Sequence, residues 1–255
     1  MSGSPGASPC VSLIVPCHNE ARRLNIASFR GFLATETDAR ILFVDDGSQD
    51  GTYAVLEQVC QDHERRSAIL RCDQNRGKAE AVRRGINYAL ENWRTEIVGY
   101  WDADLATPLD SVDRFRKLLQ ERSELGMVFG ARVKLLGRHV QRRAVRHYLG
   151  RVFATAVSLM LQLPIYDTQC GAKLFRATPE FRRVFAEPFL SRWVFDVEIL
   201  ARYLQFYEGD TKRLESCIYE YPLETWVDVA GSKVRAGDFI VALVDLARIR
   251  FRYFR

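Results

Sequence analysis

None of the six cysteines (Cys10, Cys17, Cys60, Cys72, Cys170, Cys217) forms a C-x-x-C pair, and none stands at ligand spacing from one of the four histidines. Structural zinc is thereby disfavoured, and scattered thiols suit a reducing compartment better than a disulfide framework. The opening MSGSPGASPC lacks a basic segment followed by an apolar run, so residues 1–9 read as a disordered tail and not a signal peptide. The longest apolar stretch, Val152 to Ile165, is interrupted by Thr155, Ser158 and Gln162 and stopped by Pro164. It is too short to span a bilayer. No G-x-G-x-x-G follows a strand and no G-x-x-x-x-G-K-[ST] occurs, which disfavours dinucleotide oxidoreductases and P-loop NTPases. Acidic residues are missing altogether from Gly126 to Tyr166, where Arg132, Lys134, Arg138, Arg142, Arg143, Arg146 and Arg151 all fall. The net charge of +5 is therefore local. Such a one-sign block is either a solvated face or the seat of a phosphate-rich partner.

What remains is the composition of an ordinary globular chain long enough for one large α/β domain. Short β-branched apolar runs alternate with helical periodicity. VSLIVP, ILFV, SAILRC and EIVGYW read as strands, and each leads through a polar loop into a helix. Asn19 is expected to cap the first of these helices, with Glu20 in its first turn. Further elements follow: a helix from Pro108 to about Gln120, a strand GMVFGAR, one long helix beginning RRAVRHYLG, and a helix over RWVFDVEILARYL. Strands and helices in this order predict an open, mostly parallel sheet whose ligands bind beyond the carboxyl ends of the strands. Residues 10–235 form this single domain, and 236–255 form a C-terminal basic amphipathic helix. On that helix Ile240, Leu243, Val244, Ala247, Phe251 and Phe254 make an apolar stripe, opposite Asp238, Asp245, Arg248, Arg252 and Arg255. The stripe suits a membrane interface or docking on the core equally well.

The chemistry concentrates in YWDADLATPLD. Asp102 and Asp104, one residue apart after a strand, can point the same way and converge. Converging acids repel unless a cation lies between them, and a hard divalent ion that also takes substrate phosphates is the usual solution. A capping turn is the competing reading. Asp45 and Asp46 also follow a strand, where a carboxylate can accept from ribose hydroxyls or a base N–H; Asp46 reads as part of a Gly-containing turn. Asn75–Lys78 (NRGK) sets a glycine between two cations, as suits a phosphate-bearing ligand or an exposed loop. His147 reads as a surface histidine. Asp196 is a candidate general base, with helix capping as its alternative.

Taken together, VSLIVPCHNE, FVDDGSQDGT, NRGKAEAVRRG, DADLATP, GAR, DTQCGAKLF, RWVFDVE and ETWVDVAGSKV resemble the inverting family-2 glycosyltransferases of the GT-A fold. Among them the chain is most similar to the dolichyl-phosphate β-glucosyltransferases, which move glucose from UDP-glucose to a polyprenyl phosphate. The resemblance implies a Rossmann-type open sheet with helices on both faces. Pro16, Cys17 and Glu20 would line the nucleotide pocket, with Asp45 on the uracil or ribose and Ala103 in the sugar-nucleotide site. Asp102 and Asp104 would hold Mg²⁺ or Mn²⁺, and Lys78 and Arg132 would lie near the phosphates. Related mannosyl enzymes carry a glutamine where this chain has Ala106, so a water would replace that ligand. The eukaryotic glucosyl enzymes also carry an N-terminal anchor that is not seen here.

Charge decides the expected mechanism. A metal with Lys78 and Arg132 stabilises the diphosphate as it leaves. A hydroxyl acceptor would need Asp196 as base. A phosphate monoester, with a second pKa of about 6, is already ionised at pH 7 and needs cations instead. Arg138, Arg142, Arg143 and Arg146 supply them, which favours a polyprenyl-phosphate acceptor. The expected setting is the cytoplasmic face of a membrane, with peripheral contact, a homodimer left open and nucleic acid not among the partners. The alternatives are a soluble UDP-sugar transferase with a hydroxyl acceptor, a GDP-mannose-using enzyme, a nucleotidyltransferase and, last, a non-catalytic membrane-surface protein.

Overall fold

The computed structural model describes residues 11–36, 38–134, 136–137, 139–141, 144–227 and 236–254, without the side chains of 138–149 and 228–239. The first strand, β1 (Val11–Cys17), alternates between two core layers: Leu13 and Val15 enter one, Ile14 the other. Helix α1 (Ile26–Thr35) follows, capped by Asn25, whose side chain accepts from the Ser28 N–H at 3.0 Å. Asn19 is not the cap the sequence suggested. Its φ of 52° places it in the left-handed region. Its N–H donates to Ser48 Oγ, and its side-chain carbonyl accepts from the Gln49 N–H at 2.9 Å. Those ties to the next loop hold residues 18–25 out of the helix.

The alternation continues with β2 (Ala39–Asp46), α2 (Thr52–Cys60), β3 (Ser67–Cys72), α3 (Lys78–Asn92), β4 (Ile97–Trp101), α4 (Ser111–Glu121) and β5 (Met127–Ala131). Beyond it lie β6 (His139–Gln141), α5 (Ala144–Leu161), β7 (Ala172–Arg176), α6 (Pro179–Ala186), α7 (Phe195–Phe206), α8 (Thr211–Ser216), β8 (Ile218–Pro222), β9 (Thr225–Val227) and α9 (Ala236–Tyr253). The main sheet has seven strands in the order β3-β2-β1-β4-β7-β5-β8. The pairs β3–β2, β2–β1, β1–β4 and β5–β8 are parallel. β7 runs antiparallel to both β4 and β5, an insertion that the local pattern did not announce. β6 and β9 form a separate two-stranded parallel ribbon.

Helices cover both faces of the sheet. Phe29, Phe32, Leu56, Val59, Val112 and Phe115 from α1, α2 and α4 pack on one side with Leu13, Phe43 and Trp101. The other side collects α3, α5, α6, α7 and α9 around Ile14, Val44, Tyr100 and Phe175. Helix α3 lies very close to the strands: a Cβ on Gly85 would stand 2.4 Å from Ile14 Cγ2 and 2.8 Å from Val44 Cγ2. That contact delivers the N-terminus of α3, and Lys78 with it, to the carboxyl edge of the sheet.

Helix α9 packs on α7, but not through the stripe expected from the sequence. Leu246, Ile249 and Asp245 face inward, whereas Ile240, Leu243, Val244 and Phe251 are exposed. Apolar residues occupy more than one face of this helix, so of the two readings of the stripe its exposure disfavours docking on the core, Phe254 excepted.

Candidate active site at the carboxyl edge of the sheet

The parallel strands end together. Cys17 lies opposite Asp45 in the β1–β2 ladder, and Ile14 lies opposite Tyr100 where β4 joins β1. Cys17 and Asp45 are buried there, Asp45 accepting from the Ser48 N–H at 3.0 Å, while Pro16 is half-buried and Glu20 nearly buried. The Glu20 N–H donates to Thr52 Oγ1 at 2.7 Å, which binds the 18–25 loop to the start of α2.

Asp102 and Asp104 are gathered by a turn and not by strand alternation, because β4 stops at Trp101. The Leu105 N–H closes that turn on the Asp102 carbonyl at 3.2 Å, with Leu105 itself at a φ of 52°. Lys78 Nζ lies 2.5 Å from Asp102 Oδ1. Arg23, which sequence reasoning did not single out, donates to Asp104 Oδ2 at 3.1 Å. The Ala106 N–H donates to the other Asp104 oxygen at 3.1 Å. Ala103 is buried between the two acids.

The electrostatics show how close these groups are. Burial, reinforced by the Asp102 charge, holds the Asp104 carboxyl above its ordinary value despite Arg23 and Lys78. Burial works against the Lys78 ammonium, but Asp102, with Asp196 and Asp104 behind it, outweighs burial and raises its pKa. The Asp104 carboxylate is thus disfavoured in a way a cation would relieve, while Lys78 is held as a charged ammonium. Two hard carboxylates suit Mg²⁺ or Mn²⁺, which commonly take one or two acids and complete their shell with phosphate and water. No cluster of three or more His, Cys, Asp or Glu side chains fit to hold a metal occurs among the described residues. The donor set thus fits an ion that arrives with a diphosphate better than a resident structural ion.

Arg132 closes the opposite side. Its Nε and one terminal nitrogen grip Asp167 at 2.7 and 2.8 Å, its own N–H adds a third bond, and its guanidinium lies over Trp226. Burial disfavours its charge, yet Asp167 outweighs burial and keeps the guanidinium protonated, with Asp102 also within its field. Gly171 forms the floor. Its carbonyl accepts from the Asp102 N–H at 2.9 Å, and a Cβ there would stand 1.9 Å from Asp102 Oδ2. Asp46, read as part of a turn, instead receives the N–H groups of Arg76 and Gly77 at 3.0 and 2.8 Å, fixing the NRGK loop.

Asp196 is not an open base. It is 4% exposed, pairs with the fully buried Lys173 at 2.6 Å and accepts from the Tyr100 hydroxyl. Lys173 also donates to the carbonyls of Thr168 and Cys170, so this network supports the loop that carries Asp167 and Gly171. Arg138, Arg142 and Arg143 lie outside the described residues, as do the side chains of Arg146 and His147.

The Glycosyl transferase family 2 profile matches residues 12–180. The chain belongs to this family. Dolichyl-phosphate beta-glucosyltransferase of Dictyostelium discoideum is 31% identical over 95% of the chain and 74% of the relative. The proteins of that name from Saccharomyces cerevisiae and Homo sapiens are each 30% identical, over 95% of the chain and 75% of the relative. A solved family-like fold is glucosyl-3-phosphoglycerate synthase of Mycobacterium tuberculosis, in complex with Mn²⁺, UDP-glucose and phosphoglyceric acid. It matches with a TM-score of 0.69 at 15% identity, over 96% of this chain and 81% of that one. At that identity the likeness establishes the GT-A-type fold alone. Among the described residues no helix is long and apolar enough to cross a membrane.

Proposed function

We propose that this family-2 enzyme transfers glucose from UDP-glucose to a dolichyl or other polyprenyl phosphate, with inversion at the sugar carbon. The observation that carries the reading is the Asp102–Asp104 turn, set between Lys78 and Arg23 where β1, β2 and β4 end. The naming of the curated relatives supports both the donor sugar and the lipid acceptor.

In this reading Asp45, Glu20, Pro16 and Cys17 line the nucleoside pocket, with Ala103 beside the sugar diphosphate. Asp102 and Asp104 would hold Mg²⁺ or Mn²⁺, which would supply Lewis-acid stabilisation of the leaving diphosphate. Lys78 and Arg132, both kept charged by acidic partners, face the negative charge that develops on UDP. A phosphate oxygen of the acceptor forms the new bond to the sugar carbon as the bond to UDP breaks on the opposite face. An ionised phosphate monoester has no proton to lose, so the step needs no base. The burial of Asp196 against Lys173 and Tyr100 supports that acceptor over a hydroxyl, which would require an open carboxylate.

The arginines at 138–146 remain our candidates for the acceptor phosphate. The exposed Ile240, Val241, Val244 and Phe251 of α9, with Arg248 and Arg252 nearby in sequence, suit a membrane interface carrying that lipid. Incubation with radiolabelled UDP-glucose, Mn²⁺ and dolichyl phosphate is expected to yield butanol-soluble label that mild acid releases. Label that stays in water, or a lipid product stable to mild acid, overturns the reading.

A further inference from the structure

The loop before Lys78 is held from two sides. From the sheet, the Asp46 carboxylate takes the Arg76 and Gly77 N–H groups. From the opposite side Arg192 reaches over it. Arg192 Nε donates to the Arg76 carbonyl at 3.0 Å, and one terminal nitrogen donates to the Asn75 carbonyl and side-chain oxygen at 3.3 and 2.9 Å. The Arg192 carbonyl accepts from the Ala79 N–H at 3.2 Å, inside the first turn of α3. Gly77, at a φ of 94°, leaves the room: a Cβ there would stand 2.8 Å from Arg192 Nε. One guanidinium fork thus matches three acceptors on two consecutive residues, a geometry that a lysine cannot reproduce.

Arg192 is itself anchored from the C-terminal helix. Its neighbour Ser191 is buried, and the Ser191 hydroxyl donates to Asp245 of α9 at 2.7 Å while accepting from the Trp193 and Val194 N–H groups. One residue earlier, the Leu190 N–H donates to the buried Glu198, which also accepts from the Tyr253 hydroxyl of α9 at 2.8 Å. The segment is therefore tied to α9 directly at Ser191 and through Glu198 at Leu190, both just before Arg192, which projects from it onto the Lys78 loop.

We propose that Arg192 is a positioning residue for the donor diphosphate, acting through the 75–77 loop to hold Lys78, and that α9 sets Arg192 through the Asp245–Ser191 bond. The proposal rests on the reading above in which Lys78 meets the diphosphate. It assigns a donor-side role to a helix whose outer face is apolar, and makes the placement of Lys78 depend on how α9 is seated.

UDP binding in the presence of Mn²⁺, measured by calorimetry on the full chain, tests it. Wild type, Arg192→Ala, Lys78→Met and the double variant form a cycle. Arg192→Ala is expected to weaken UDP about tenfold, as for the loss of charge-assisted bonds. In the Lys78→Met background the same substitution is expected to change nothing further. An equal loss in both backgrounds, or none in wild type, overturns the proposal. Should Arg192→Ala fail to fold, Arg192→Lys keeps the charge and stem but not the fork, and must show the same pattern. Ser191→Ala cuts the direct tie to α9 and is expected to cost about threefold, because the lost bond to the Asp245 carboxylate acts on Lys78 only through Arg192; unchanged affinity removes α9 from the account. A wild type that binds no UDP with Mn²⁺ overturns the donor reading itself, an outcome distinct from additive losses in a chain that does bind.

Discussion

The carboxyl edge of the sheet and the outer face of α9 are built on opposite principles. At the sheet edge almost every charge already has a partner: Asp45 with Ser48, Asp46 with the 76–77 amides, Asp102 with Lys78, Asp104 with Arg23 and Ala106, Arg132 with Asp167. On α9 the exposed groups include the apolar Ile240, Val241, Leu243, Val244 and Phe251, the last 82% exposed, beside the exposed Arg248, Arg250 and Arg252. The first region spends its residues on geometry, as recognition of a small polyanion requires. The second offers apolar area with little geometry, which fits an extended apolar surface. A donor that is small and charged and an acceptor that is long and greasy would draw on these two regions in turn.

The largest expected effect lies beneath the first region. Lys173→Met leaves Asp196 buried without its cation, and should cost about 3–5 kcal/mol of stability in urea unfolding. A loss below about 1 kcal/mol would show that the buried pair is not what holds the site floor. Next comes Gly171→Ala, whose new Cβ collides with the Asp102 carboxylate. Since a misplacement of about 1 Å can cost about 10²-fold, kcat/KM should fall at least tenfold while the circular dichroism melt is nearly unchanged. Equal activity would mean that Asp102 is free to move aside without consequence.

Asp104→Asn sharpens the contrast between function and stability. Burial and Asp102 raise the Asp104 pKa in the folded chain, so its contribution to stability is present below the ordinary Asp value of about 3.9 and lost as pH rises through the raised value. At pH 7 the ionised carboxylate therefore opposes folding. Removing its charge should raise the melting temperature of the ligand-free protein at pH 7, and the gain should shrink toward pH 4. A lower melting temperature at pH 7 would show that the Arg23 pair outweighs burial. The smallest effect on the protein itself belongs to the second region. Phe251→Ser with Ile240→Ser should change stability by no more than about 0.5 kcal/mol, yet reduce binding to anionic vesicles about tenfold or more. Unchanged vesicle binding would leave the α9 face without its proposed role.

Much of this architecture could be read along the chain, because it is local. Strand–loop–helix units at β1, β2, β3 and β4, the aspartate pair after β4 and the basic tail follow from periodicity and spacing. What could not be read depends on partners far away in sequence. Asp46 looked like a turn because its two donors lie about 30 residues on, at Arg76 and Gly77. β7 carries a buried lysine and follows a glycine, so it lacks the signature of a central strand, and the acid that pairs with Lys173, Asp196, lies on a later helix. Asn19 resembled a cap because nothing nearby reveals its bonds to Ser48 and Gln49. Arg23 and Arg192 gave no signal of their own, being single arginines whose targets are Asp104 and the Asn75–Arg76 backbone.

The central claim is that Asp102 and Asp104 together hold a divalent ion that receives the donor diphosphate. Calorimetric titration of UDP into wild type and Asp104→Asn, each with Mn²⁺ and with chelator, tests it most directly. Tight binding by wild type only with Mn²⁺, and weak binding by Asp104→Asn under both conditions, is the predicted result. Equal affinity of the two proteins, or UDP binding by wild type that chelator leaves untouched, would contradict it.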